Sequence, residues 1–143
     1  MMNPPHMVRQ NYLATEVFTA APQKLQLMLI EGAVRFGQQA RALWQQRRDE
    51  EAGEAIIRCQ EIVAQLLAGL RREEPTELTR RVAGVYVFVL NSLVAAHVNR
   101  DEQKLADALD VLTEEQATWR AVCEKLGTKQ NATEAATRIA LQG

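Results

Sequence analysis

Thr19-Ala20-Ala21-Pro22-Gln23-Lys24-Leu25-Gln26-Leu27-Met28-Leu29-Ile30-Glu31-Gly32-Ala33 joins a β-branched lead-in to a run whose apolar residues recur every three or four positions. A proline at the first helical position gives up no intrahelical hydrogen bond, so a helix starts at Pro22. Upstream, residues 1–21 carry no helical period. Pro4-Pro5 blocks a helix there, and Thr15, Val17, Phe18 and Thr19 favour extended backbone. This part reads as an extended N-terminal arm.

Downstream the same period repeats. Leu25, Met28, Gly32, Phe36, Ala40 and Leu43 make one apolar face of a helix over 22–47. Asp49-Glu50-Glu51 suits the positive end of a second helix, over 50–71, with Ala52, Ile56, Cys59, Ile62-Val63, Leu66 and Leu70 inward; Arg71-Arg72 suits its negative end. A third helix over 76–98 opens at Pro75-Thr76 and turns Leu78, Val82, Val85, Val89, Leu93 and Ala96 inward. Its run Val85-Tyr86-Val87-Phe88-Val89 has strand-like composition, but the three/four spacing extends beyond it and no turn signal bounds it. Asp101 is an N-cap for a fourth helix over 101–126, carrying Leu105, Leu109, Leu112, Trp119, Cys123 and Leu126, and Gly127 suits its end. The tail 128–143 has the weak amphipathic pattern of a short fifth helix or a frayed end. Four helices on short links predict an all-α protein, an antiparallel up-and-down four-helix bundle.

The chain has 143 residues, the size of one domain. Such a chain buries roughly 70% of its unfolded surface, so no disulfide or metal is needed to fold it. With 18 acidic and 17 basic residues, the net charge of -1 argues against nucleic-acid binding and against a polybasic membrane anchor. No apolar run approaches the ~20 residues of a membrane span, and residues 1–10 lack a signal-peptide core; a cytoplasmic location and no membrane insertion are expected. Cys59 and Cys123 sit on apolar helix positions and read as reduced core residues.

A catalytic kit is missing. His6 and His97 stand in no Glu-x-x-His pair, and there is no HExxH, phosphate loop or Cys-x-x-Cys. The acidic runs read as helix starts and solvated faces. The expectation is no enzyme, no cofactor and no metal.

Three helices have more apolar surface than a bundle core takes. The first adds Leu27, Ile30 and Val34; the second adds Ile57, Ala64 and Leu67; the third adds Val87, Leu90, Val94 and Val98 and is apolar almost all round. A small bundle cannot bury every face of three helices. Surplus of this kind marks a binding surface, here a groove for an amphipathic or unfolded polypeptide. An amphipathic stripe fits a homodimer interface equally well, in a monomer or weak homodimer, or an adaptor for a regulator.

The order Tyr12, Thr19-Ala20-Ala21-Pro22, Leu25, Met28-Leu29-Ile30, Gly32, then Cys59, Ile62-Val63, Leu66 and Leu70, then Val85-Tyr86-Val87-Phe88, Leu93 and Ala96-His97, then Trp119, resembles the flagellar export chaperone (FliS) family. Ala21, Ile30, Phe88 and His97 depart from the family pattern. The resemblance implies a bundle that binds the disordered C-terminal segment of flagellin, prevents premature polymerisation and presents the subunit to the flagellar export gate. It also implies that the arm covers a hydrophobic pocket in the free protein. On that reading Tyr12 and Val17 are the arm's contacts with the body. Ile57, Ala64, Leu67, Val87, Leu90 and Val94 line the groove, and Leu27 and Ile30 extend it. Tyr86 and Trp119 read as packing residues.

Overall fold

The computed structural model describes residues 22–142, with side chains at 22–127 and at Ala136. The arm, with Tyr12 and Val17, lies outside the described residues. Within them the chain forms four helices and no strand: α1 (Pro22–Gln45), α2 (Asp49–Arg71), α3 (Glu77–Asn99) and α4 (Glu102–Gln142). Each packs on its neighbours in sequence, and α1 packs on α4. The ring is thereby closed, and links of a few residues make successive helices antiparallel, an all-α up-and-down four-helix bundle.

The helix starts follow local chemistry. The Thr76 hydroxyl accepts from the Thr79 N–H at 3.1 Å. One Asp101 carboxylate oxygen accepts from the N–H groups of Gln103 and Lys104 at 3.0 and 3.2 Å. A cap of this kind is worth about 1 kcal/mol. At the end of the bundle that holds Asp101, α1 turns into α2, and α3 into α4, through arginines rather than glycines. Arg47 and Arg100 have φ of 59° and 48°. The two turns are tied together by Arg100 and Asp49, 2.8 Å apart and half-exposed, a pair worth less than about 1 kcal/mol.

The core is built from Ile30, Ile56, Cys59, Val63, Tyr86, Val89, Leu93, Leu105 and Leu112, all fully buried. The inward line of α1 is made of small residues: Gly32, Ala33, Gly37 and Ala40 are buried. A Cβ on Gly37 would stand 2.5 Å from Leu109 Cδ2, so α4 approaches α1 closer than any side chain there permits. Cys59 Sγ donates to the Ala33 carbonyl at 3.2 Å, and burial pushes its thiol up to about 12.

Two expectations are corrected. The fourth helix does not stop at Gly127. It runs 41 residues to Gln142, so residues 128–142 prolong α4 instead of forming a separate fifth helix. No described glycine has positive φ, so Gly127 takes no left-handed cap. A mid-helix glycine costs only about 1 kcal/mol, and the Ala- and Glu-containing sequence beyond it carries the helix on. Second, α3 is long and apolar enough to cross a membrane by length and composition. Its packing marks it as a bundle helix: Tyr86, Val89, Leu93 and Ala96 are fully buried in the core.

The glycines separate close approach from tolerance. A Cβ at Gly37 meets Leu109, whereas one at Gly84 meets nothing within 4 Å. Gly37→Ala is expected to destabilise the bundle by about 1–3 kcal/mol through overpacking, although alanine is the better helix former. Gly84→Ala is expected to stabilise it by about 1 kcal/mol. Urea unfolding of the two variants checks the opposite signs.

Candidate functional site

Among the described residues the large exposed apolar side chains are Ile57, Leu78, Val87, Phe88, Val94, Val98 and Leu126. Five of these seven are on α3. That helix packs mainly on α2 and α4, and one face suffices for those contacts. Its remaining aliphatic and aromatic residues are left facing outward.

Between the end of α2 and the start of α3 lies a cavity of about 350 Å³. Leu67, Leu70, Ala83 and Val87 form its apolar walls, with Arg71, Glu73, Thr79 and Arg80 among the residues around them. Along α3 it is continued by Leu90, half-buried against the core, and by Val94 and Val98. These stand seven and eleven residues beyond Val87 on the same side of the helix, 44% and 74% exposed. Ala64 is exposed on α2. Being small, it lets another backbone come close.

The residues expected to form one groove are divided among different places. Leu67 and Val87 share the α2–α3 cavity, and Leu90 and Val94 continue it. Leu67 is only 9% exposed, so it is a wall and not a free anchor. Ile30 is fully buried; it belongs to the core and extends no groove. Its excess-stripe position on α1 lies inside because α1 packs more extensively on its two neighbours, α2 and α4, than any other helix of the ring. Leu27 lines a separate cavity of about 590 Å³ between α1 and α4, with Cys123 and Leu126. Ile57 lines a third, of about 500 Å³, with Phe36 and Ile62 between α1 and α2. Tyr12 and Val17 lie outside the described residues.

Tyr86 and Trp119 are packing residues. The Tyr86 ring is fully buried, and Gln26 Nε2 donates to its hydroxyl at 2.6 Å, bridging α1 to α3. Burial pushes the phenol up to about 12, with the Glu115 charge adding to the effect and the bonds to Gln26 and Trp119 opposing it. Burial also raises the Glu115 carboxyl, against a hydrogen bond from Trp119 and with the charge of Glu114 adding. Trp119 packs on the core edge.

Sequence reasoning did not assign Phe88, half-exposed, or Leu78, 69% exposed, to the surface. For Phe88 the signal was present in the all-round apolarity of α3. For Leu78, which shares the inward period of α3, it was misleading.

The described surface thus carries apolar grooves, and among the described residues no group of His, Cys, Asp and Glu is placed to hold a metal. Comparison with known proteins matches residues 5–126 to the family described as "Flagellar protein FliS". The chain belongs to that family. Individual relatives are distant in sequence but matched over most of their length. The "Flagellar secretion chaperone FliS" of Vibrio cholerae is 26% identical over 73% of this chain and 77% of its own. The protein of the same name from Bacillus subtilis is 28% identical over 76% and 80%. That from Salmonella typhimurium is 25% identical over 80% and 86%. At this divergence FliS relatives share fold and pattern more than individual surface residues.

Two buried weak acids of this FliS bundle make its stability sensitive to alkaline pH. Cys59 and Tyr86 are raised from 9.0 and 10.0 to about 12. Folding favours their neutral forms, so their contribution is complete below the lower value and is lost as pH climbs toward the upper one. The urea midpoint is expected to fall as pH rises from about 9 toward about 12, while a native-state thiol assay at neutral pH labels half-buried Cys123 and spares Cys59.

Proposed function

We propose that this protein is a flagellar secretion chaperone that binds the disordered C-terminal segment of flagellin on the α2–α3 groove and the apolar face of α3. Holding that segment keeps the subunit from polymerising early and leaves it fit for delivery to the flagellar export apparatus, in the cytoplasm. The protein acts by binding alone, with no chemical step, no nucleic acid and no membrane insertion. The single observation that carries the reading is the exposed line Val87, Val94 and Val98, continuous with the cavity between Leu67 and Val87. Family membership and the relatives named secretion chaperones support it.

The energetics suit an unfolded ligand. Ordering such a segment costs roughly 2–5 kcal/mol or more, and each buried aliphatic side chain returns about 1.5–3 kcal/mol. Three or four anchors offset the ordering and leave a useful surplus. Val87, Leu90 and Val94 supply them from α3, Leu67 forms the facing wall, and Ala64 admits the ligand backbone. In the absence of ligand the arm, through Tyr12 and Val17, covers part of this surface and competes for it.

Titration calorimetry with the C-terminal ~40–60 residues of flagellin from the same organism is expected to give saturable one-to-one binding with a large negative heat-capacity change. Val87→Asp with Val94→Asp is expected to weaken it on the order of 100-fold. Circular dichroism should stay unchanged, since both sites are more than 40% exposed. Charges at Leu67 would confuse binding with folding. Removing residues 1–16 is expected to raise the affinity. No saturable binding by the intact chain would sink the reading.

A further inference from the structure

At one end of the α2–α3 groove the link between the two helices crosses from one to the other, and Glu73 and Pro75 of that link line the cavity there. The link is tied down. The Glu73 N–H donates to the Leu70 carbonyl at 3.1 Å, the Thr79 hydroxyl to the Glu74 carbonyl at 3.0 Å, and Arg80 Nη2 to the Pro75 carbonyl at 3.0 Å. A polypeptide lying in the groove therefore meets a closed end at the link.

The charge of the groove is gathered at that end. Arg71 and Arg80 line the cavity, one from each helix, and Glu73 is the acidic residue beside them. Two positive charges against one negative leave a surplus of one. Among the described residues neither Arg71 nor Arg80 is in an ion pair. Away from the link the charge stops. No Asp, Glu, Lys or Arg stands between Ile62 and Leu70 on α2, or between Val82 and Val98 on α3.

We infer that the closed end is a carboxylate clamp, in which Arg71 and Arg80 hold the chain-terminal carboxylate of the bound segment and so fix its direction. The inference rests on the reading of this groove as the site of a C-terminal segment. A guanidinium is planar and offers five N–H donors, and it takes a carboxylate through two parallel bonds. The bond to the Pro75 carbonyl holds Arg80 at the cavity edge, which lowers the entropy cost of using its remaining donors. An acidic side chain within the segment offers the same chemistry, but the chain beyond it would have to leave the groove. A chain end needs no exit, and its single negative charge matches the surplus. The ligand then ends at the link, with its preceding residues over Leu67, Ala83 and Val87 and next over Leu90 and Val94. It runs antiparallel to α3 and parallel to α2. Where its last turn is helical, the negative end of its dipole meets the same two cations.

Calorimetry on the full chain with two forms of the C-terminal flagellin peptide tests the clamp. One form has a free terminal carboxylate and the other is amidated. Amidation is expected to weaken binding about tenfold. Arg71→Gln is expected to weaken binding of the free acid by a similar factor and to leave the amidated peptide unchanged, the non-additivity of a direct contact. Arg71 is the cleaner position, because it is exposed at the end of α2, whereas Arg80 also fastens the link. Circular dichroism checks that the fold is intact. Equal binding of the two peptides by the unaltered chain overturns the clamp and leaves flagellin binding standing. Equal weakening of both peptides by Arg71→Gln also overturns it, since the arginine then meets an acidic side chain and not the chain end. Failure of both peptides to bind overturns the clamp together with the reading it rests on.

Discussion

The close approach of α1 to its two neighbours governs the rest of this bundle. Where most helices present leucines inward, α1 presents Gly32, Ala33, Gly37 and Ala40, all buried. Leu109 fills the space where a Gly37 side chain would be, and Ile62 lies 3.4 Å from a Cβ built on Gly32. Packing contacts fall off steeply with even a small gap, so the small residues of α1 let α2 and α4 close in around its bulky ones, Ile30, Val34, Leu43 and Trp44. The close approach also draws Ile30 and Trp44 into the core, at 0% and 4% exposure.

That arrangement decides where surplus apolar surface ends up. With α1 tucked between α2 and α4, the core is filled on α3 by Tyr86, Val89, Leu93 and Ala96. Val87, Phe88, Val94 and Val98 then have no buried position available. Their exposure follows from the geometry of a four-membered ring, in which each helix has two neighbours and one inward face. A sequence selected only for stability would carry polar residues at these sites, because exposed aliphatics add nothing to folding and invite aggregation. Retaining four on one helix is what the partner surface proposed above requires.

How much of this was legible in the sequence depends on which question is asked. Helix identity and number follow from the three/four spacing, and the cap at Asp101 was readable because a carboxylate before an apolar run has one evident use. The end of α4 was not, since Gly127 is compatible both with a left-handed cap and with a mid-helix position, and only the backbone of the following residues decides. For the site, periodicity locates the inward face of each helix but not the neighbour beside each flank. Ile57, Ala64 and Leu67 all lie away from the centre of the core stripe of α2, yet Ile57 lines the furrow toward α1, Leu67 the cavity toward α3, and Ala64 is exposed. Ile30 was misplaced for a related reason: the width of a buried face depends on how extensively the neighbouring helices pack on it. The arm residues Tyr12 and Val17 lie outside the described part of the chain.

The apolarity of α3 is the point at which solubility and binding conflict. By length and composition alone this helix passes for a membrane span, yet it must remain in water with half its face uncovered. Arg80 and Arg81 follow closely on its start, Glu77 pairs with Arg81 at 3.7 Å, and Arg80 donates to the Pro75 carbonyl at 3.0 Å. Charge is therefore concentrated at the first turns, where Glu77 also meets the positive end of the helix dipole, and the stretch from Val82 to Val98 holds no Asp, Glu, Lys or Arg. A charge placed among Val87, Leu90 and Val94 would improve solubility but would have to be desolvated by any apolar ligand, at a cost comparable to what an anchor returns. Segregating charge to one end of the helix and apolar contact to the rest resolves the conflict without weakening either.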